Sequence, residues 1–327
     1  MFRERSVRGK AMDSKDLKSK SLLLASPGYL QWMAEVLPPL DAHDVLVQTR
    51  TGAISIGSEL PLYCGTSRTS RPLRYPRMTG YESVGLVLAC GSHVQTVHPG
   101  DRIVSFYGHR THAVVPEAKV IVVPDGISDP LAILVILTCD AAKGVRKLAP
   151  LPEETVLITG AGTMGLLTLF ILKAYGCANV DIIEPIQERH ALASRLGART
   201  VFFPQDLPST SETYSVAFEC SSRSEAFALL QNHMQHDGRI CITADGNLEP
   251  LMLTPTFHER ELRIVGSSDG WDYQKHAAWY FQEIQQHSPQ LEQLFEEEIA
   301  RSELISLFEQ LARSRSLPVK VLVHYEP

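Results

Sequence analysis

Val156-Leu157-Ile158-Thr159-Gly160-Ala161-Gly162-Thr163-Met164-Gly165 is the stretch that decides the fold. An apolar, β-branched run leads straight into Gly-x-Gly-x-x-Gly, and Leu166 to Tyr175 continues with a helical pattern. The next apolar run, Val180 to Ile183, closes on an acid, Glu184, which stands 22 residues after Gly162. Each residue type has a physical task. Gly160 permits a tight turn, Gly162 lets the backbone approach a pyrophosphate, and Gly165 lets helix and strand pack closely. The helix N-terminus, with Thr163 and Met164 in its first turn, offers free N–H groups and a partial positive charge to phosphates. Glu184 is expected to accept hydrogen bonds from a ribose and to repel a 2′-phosphate, so the pattern predicts NAD(H) ahead of NADP(H). Arg189, on the following helix, and Cys220, after a later strand, complete the expected cofactor-binding set.

Outward from that turn, strands are expected at 155–159, 180–184, 200–203, 215–219, 238–243 and 262–266, with helices at 163–176, 187–196 and 224–235. This alternation predicts a doubly wound parallel sheet. Residues 21–125 read differently. Short runs such as Asp44 to Gln48, Ser83 to Leu88, Asp101 to Phe106 and Lys119 to Val123 sit between Gly and Pro turns, which predicts a partly closed β-rich unit. Residues 130–148 read as one helix, and 273–316 as helical, with Gln282 to Glu298 a solvated helix face. Leu317 to His324 reads as a final strand. The expected organisation is a flexible arm over 1–20, a β-rich unit over 21–148 and 285–327, and a nucleotide unit over 149–284.

Composition narrows the function. The 327 residues are 44% hydrophobic and 21% charged with a net charge of −6, an ordinary globular mix. Neither nucleic acid nor an anionic membrane is an expected partner. No run approaches the ~18 apolar residues of a membrane span. The basic start (Arg3, Arg5, Arg8, Lys10, Lys15, Lys18, Lys20) lacks the apolar core of a signal peptide. The six cysteines are scattered without a Cys-x-x-Cys, which argues against a disulfide framework or a structural zinc knuckle and makes a reducing cytoplasm the expected location.

Three further blocks carry a family resemblance. Gly80-Tyr81-Glu82-Ser83-Val84-Gly85, Pro99-Gly100-Asp101-Arg102-Ile103-Val104 and Phe257-His-Glu-Arg-Glu-Leu-Arg-Ile-Val-Gly-Ser267, together with the glycine turn, resemble the medium-chain dehydrogenase/reductase superfamily of the zinc alcohol dehydrogenase type. The resemblance spans about residues 21–327. It implies a Rossmann doubly wound parallel sheet plus a β-rich GroES-like catalytic domain, hydride transfer on a small-molecule substrate, and a homodimer joined at the edge near Arg239 to Thr243 and the Asp245-Gly246 turn.

The departures from the family matter as much. Where its zinc-bearing members have a Cys, this chain reads Ala53-Ile-Ser55-Ile-Gly57-Ser58-Glu59, and the His of their Gly-His-Glu is Tyr81. Neutral hydroxyls are poor Zn²⁺ ligands beside thiolate and imidazole, so the chain resembles a zinc-free branch and no metal is expected. A rewired site built from His109, His112 and Glu82 is the competing reading of the loop Tyr107 to His112. Without zinc, side chains must handle the reacting oxygen. The candidates are Tyr81 as a phenol donor, Ser58 as a proton relay, Glu59 and Glu82 as orienting carboxylates, His109 as a base, and Asp140 on the face of the bridging helix. Structural alternatives stand beside each: a core phenol for Tyr81, and an acid paired with Lys143 or Arg146 for Asp140. The leading functional reading is a zinc-independent, NAD(H)-dependent oxidoreductase for a secondary alcohol/ketone pair. An NADPH-dependent enoyl or quinone reductase and a catalytically inactive nucleotide-binding protein are the alternatives. The run from Tyr63 to Arg68 with Arg71, Arg74 and Arg77 is locally basic, either a solvated loop or a greeting for an anionic substrate group.

Overall fold

The computed structural model describes residues 17–68, 72–208, 213–244, 249–287 and 290–326. Most of the expected arm, Arg71 and the Asp245-Gly246 turn lie outside the described residues. Ser19 and Lys20, assigned to the arm from sequence, are instead the first residues of a strand, paired with Glu35 and Ala34.

The first half is β-rich. Its strands are β1 (Ser19–Ser26), β2 (Tyr29–Glu35), β3 (Asp44–Ile54), β4 (Arg77–Met78), β5 (Glu82–Cys90), β6 (Arg102–Ser105), β7 (His112–Pro116) and β8 (Ile121–Val122). A short helix, α1 (Ile56–Cys64), interrupts them. The sequence reading passed over α1 because it carries Pro61 inside and little amphipathic contrast. It ends on Gly65 in the left-handed conformation, the usual helix stop.

The bridging segment is two helices, not the single one expected. α2 (Asp129–Ile133) starts at Ser128, whose hydroxyl caps Leu131 N–H, and α3 (Val135–Leu148) follows after a break at Leu134. The nucleotide unit then runs β9 (Thr155–Thr159), α4 (Thr163–Ala174), β10 (Asn179–Ile183), α5 (Glu188–Arg195), β11 (Thr200–Phe202), β12 (Tyr214–Glu219), α6 (Ser224–Asn232), β13 (Met234–Ile242), α7 (Pro255–Glu259) and β14 (Arg263–Gly266). Its six strands are parallel in the order β11-β10-β9-β12-β13-β14. The chain order therefore reverses between β9 and β12, and in open α/β sheets the crevice at such a switch point is where ligands bind.

The chain then returns to the first unit. α8 (Tyr273–His287) packs on α3. The expected helix over 273–316 is broken: β15 (Phe295–Ala300) pairs parallel with β16 (Lys320–His324), with a 3-10 turn (Arg301–Glu303) and α9 (Leu304–Leu311) between them. Tertiary pairing overrides the helix preference of Glu296 to Glu298. β16 pairs antiparallel with β3, so the C-terminal strands β16 and β15 complete one side of the seven-stranded sheet. β13 is not an edge: β14 covers it, pairing Ile240 with Ile264, so the stretch Arg239 to Thr243, expected at the sheet edge, is interior and β14 is the edge strand. Among the described residues, no helix is long and apolar enough to cross a membrane.

The core cluster that joins the two units runs through α2, α3 and α4, with Ile136, Ala141, Val145, Leu166 and Leu169 almost fully buried. Apolar area removed from water contributes about 25 cal/mol per Å², so this seam holds the β-rich unit and the parallel-sheet unit in register.

Candidate active site

The glycine turn sits at the C-terminal end of β9, at the switch point. Gly160 has φ +87°, where a side chain is strained, and a Cβ on Gly165 would lie 1.8 Å from the Gly160 carbonyl oxygen. Nothing lies within 4 Å of where a Gly162 Cβ would be, so the backbone there is open to a ligand. No side chain caps α4, which leaves its first-turn N–H groups for an anion. These features fit the diphosphate of a dinucleotide.

The other cofactor candidates are placed as follows. Thr163 donates its hydroxyl to the Val319 carbonyl at 2.7 Å, tying the turn to the C-terminal segment. Met164 packs on the core. Glu184 is buried, with one oxygen taking Ala161 N–H at 2.6 Å and the other Ile186 N–H at 2.8 Å. Arg189 stands 3.8 Å from Glu184 and donates to the Leu317 carbonyl. The Cys220 thiol points to Thr243 and Thr168, and burial pushes it up to about 12, leaving an inert thiol. Sequence reasoning missed Glu219, which ends β12 across the crevice. It is fully buried and accepts from the N–H groups of Ser221 and Ser222, bending the chain at the crevice wall.

The second half of the site comes from α1, β5 and the C-terminus. Tyr81 donates to Ser55 Oγ at 2.6 Å, and Ser58 Oγ stands 3.3 Å from the same phenol oxygen. Burial lifts the Tyr81 phenol well above its usual value, and the Glu82 charge adds to the lift. Glu82 is buried and ion-paired with Lys320 Nζ at 2.6 Å, both side chains fully shielded from water. Ladder register explains the meeting: β3 lies between them, with Ala53 opposite Glu82 and Ile54 opposite Val321. Glu82 Oε2 makes no hydrogen bond of normal geometry. Burial raises this carboxyl, while the Lys320 ammonium and the nearby Ser55 hydroxyl pull it back.

Glu59 and His109 form a brace beneath these groups. Glu59 takes Ser55 N–H at 2.9 Å through one oxygen and His109 Nε2 at 3.1 Å through the other. The other His109 nitrogen faces Tyr325 Oη at 3.5 Å. His109 is 1% exposed with both nitrogens engaged, which suits a positioning role better than that of a base open to substrate. His112 lies at the start of β7 beside Thr111, so His109, His112 and Glu82 do not converge. Among the described residues, the one group with ligand atoms close enough for a metal is the exposed trio His236, Asp237 and Glu261 on the nucleotide unit.

The donor set at the catalytic end does not suit zinc. Ser55 and Tyr81 offer neutral hydroxyls already bonded to one another, and an ammonium neutralises Glu82.

Asp140, on α3, accepts from Tyr273 Oη at 2.8 Å, and neither Lys143 nor Arg146 is its hydrogen-bond partner: Lys143 donates to the Ser268 carbonyl. Burial pushes Asp140 up to about 7, with the Tyr273 bond opposing and Asp269 and Glu82 adding to the rise. Cys139 beside it is buried and pushed up to about 12 by desolvation. Phe106 meets Tyr273 edge-on at 4.8 Å, forming an aromatic flank to this side of the site.

The zinc-binding dehydrogenase family profile matches residues 163–281, a span that contains none of Ser55, Tyr81, Glu82 and Lys320. An L-threonine 3-dehydrogenase from Vibrio cholerae is 29% identical over 266 residues, covering 69% of this chain and 77% of that one. L-idonate 5-dehydrogenase from Escherichia coli superposes with TM-score 0.84 at 15% identity, covering 97% of this chain and all of that one. 2R,3R-butanediol dehydrogenase from Bacillus subtilis superposes with TM-score 0.80 at 20% identity, covering 94% and 99%.

Proposed function

Because the chain belongs to the medium-chain dehydrogenase/reductase superfamily of NAD(P)-dependent oxidoreductases, we propose that it interconverts a secondary alcohol and a ketone with NAD(H), and that side-chain hydroxyls, not a zinc ion, handle the reacting oxygen. One observation carries the reading: the Tyr81–Ser55–Ser58 cluster sits on the buried Glu82–Lys320 pair, and the family resemblance implies metal ligands where Ser55 and Tyr81 stand.

The nicotinamide, when bound, supplies hydride acceptance or donation. The chain does the rest. Gly162 and the first turn of α4 hold the diphosphate. Tyr81 orients the substrate oxygen: it donates its proton to a ketone and, while it donates to Ser55 as it does here, accepts from an alcohol hydroxyl. In the oxidative direction the substrate hydroxyl proton passes to the Tyr81 oxygen as Tyr81 passes its own to Ser55 and Ser55 its own to Glu82. Glu82 suits the end of that relay because burial raises its carboxyl toward proton acceptance while the Lys320 ammonium opposes the rise. Glu59 and His109 hold the Ser55 backbone in place, and Asp140, pushed up to about 7 by burial, contributes a further titratable group. Glu184 puts a buried negative charge near the expected ribose position, which supports NAD(H) over NADP(H). The free edge strand β14 is the surface on which a second copy would extend the sheet, a homodimer that light scattering would detect.

The test combines metal analysis, turnover and binding. Protein purified without added zinc and dialysed against chelator is expected to reduce NAD⁺ with a secondary alcohol from a broad panel. Tyr81→Phe is expected to lower kcat by about 100-fold while NADH binds as before. Stoichiometric zinc whose removal abolishes turnover overturns the reading.

A further inference from the structure

A cavity of about 110 Å³ lies against the hydroxyl cluster. Ser58 and Tyr81 line one wall, Leu24, Leu30 and Phe308 form its apolar body, and Arg77 borders it. Arg77 lies on β4 directly opposite Leu24 on β1, and directly opposed residues share a face, so its side chain is set toward the same cavity as that leucine. It is half-buried, yet among the described residues no carboxylate pairs with it. Arg102, Arg189 and Arg239, equally half-buried, each have an acidic partner. Glu59 also borders the cavity, but both of its oxygens are engaged, by Ser55 N–H and His109. Exposed Arg68 and Arg74 lie on the same connection and add positive charge, in a chain that is negative overall.

We propose that this cavity is the substrate subsite, and that its ligand is a short, apolar-bodied carbinol or ketone ending in an anion, carboxylate or phosphate, held by Arg77 while Tyr81 and Ser58 meet the reacting oxygen. The proposal rests on the oxidoreductase reading for its carbinol end; the anion end rests on the cavity alone. The volume is below the ~150 Å³ of a protein cavity that takes benzene, so the cavity encloses about four or five heavy atoms of the ligand in all, which limits the apolar body to a few carbons. A planar guanidinium with five donors suits both anions, since each accepts two parallel hydrogen bonds.

Two measurements on the full chain test it. The first is thermal stability with short-chain carboxylates and with inorganic phosphate, for the wild type and for Arg77→Gln and Arg77→Lys. An upward shift that Arg77→Gln abolishes and Arg77→Lys partly restores is expected, and the stronger of the two anions identifies the head group. The second is NAD⁺ reduction on matched secondary alcohols differing only in a carboxylate, phosphate or methyl terminus. The anionic member is expected to be favoured about 10- to 100-fold in kcat/KM, and Arg77→Gln to collapse that ratio. An anion shift independent of Arg77, no shift at all, or alcohols oxidised without anion preference overturns the subsite. Arg77-dependent anion binding without turnover of any alcohol instead overturns the oxidoreductase reading and leaves the anion site standing.

Discussion

Replacing Lys320 with methionine should destabilise the protein far more than a lysine-to-methionine change at a surface. Lys320 and Glu82 are both fully shielded from water and 2.6 Å apart. At an effective dielectric of about 20 their direct attraction is about 6 kcal/mol, offset by several kcal/mol of desolvation for each ion. The intact pair is therefore worth little against a neutral pair of the same shape. Lys320→Met leaves Glu82 as a buried carboxylate without its cation, a loss of about 3–5 kcal/mol. Glu82→Gln leaves the converse orphan. The double variant removes both charges and should recover most of either loss, giving a coupling of at least about 2 kcal/mol in a double-mutant cycle. Urea unfolding near pH 7 measures all four proteins. The sign of the pH dependence follows from the same physics. Burial already raises Glu82 in the folded state, and losing Lys320 raises it further. A carboxyl raised by folding binds its proton more tightly in the native state, so its burden on stability grows as pH rises and is relieved as pH falls. The Lys320→Met deficit should be smaller at pH 5 than at pH 8. A variant within 1 kcal/mol of wild type, or a double variant as unstable as the two losses added, would refute the reasoning.

Asp140 makes a second pH test. Its folded value of about 7 stands above the unfolded 3.8, so it costs stability increasingly as pH rises between those values; Asp140→Asn should flatten the stability–pH curve there, read by thermal unfolding across pH 4–8. Gly165→Ala drives a methyl to 1.8 Å from the Gly160 carbonyl, and a fluorescence titration should find NADH affinity lowered at least about 10-fold as the turn deforms. Glu184→Gln removes the charge and keeps an acceptor for a backbone N–H; the ratio of NADPH to NADH dissociation constants should fall about 10-fold, and an unchanged ratio counts against Glu184 as the discriminating acid.

The fold was legible wherever the physics is local. The glycine turn declares itself because only glycine tolerates φ +87° at position 160 and a carbonyl against position 165. The strands of the nucleotide sheet declare themselves because a sheet covered on both faces needs continuous apolar runs. α1 was illegible because Pro61 speaks against a helix that tertiary packing nevertheless supports, and that helix carries Ser58 and Glu59. β15 was illegible because its glutamates favour a helix until β16 arrives beside it. Lys320 left a faint signal, a lone cation inside the apolar run Val319 to Val323, but nothing local could name its partner.

By itself, then, the amino-acid order determined the nucleotide turn, the strand–helix alternation and the presence of hydroxyls at Ser55 and Tyr81, since these depend on backbone sterics and residue chemistry over a few neighbours. Only the tertiary structure decided that Glu82 meets Lys320 from 238 positions away, that Asp140 pairs with Tyr273, and that Arg77 faces an apolar cavity. The reason is physical: partner identity depends on sheet register across distant strands, and a charge's behaviour depends on how completely the assembled fold removes water from around it.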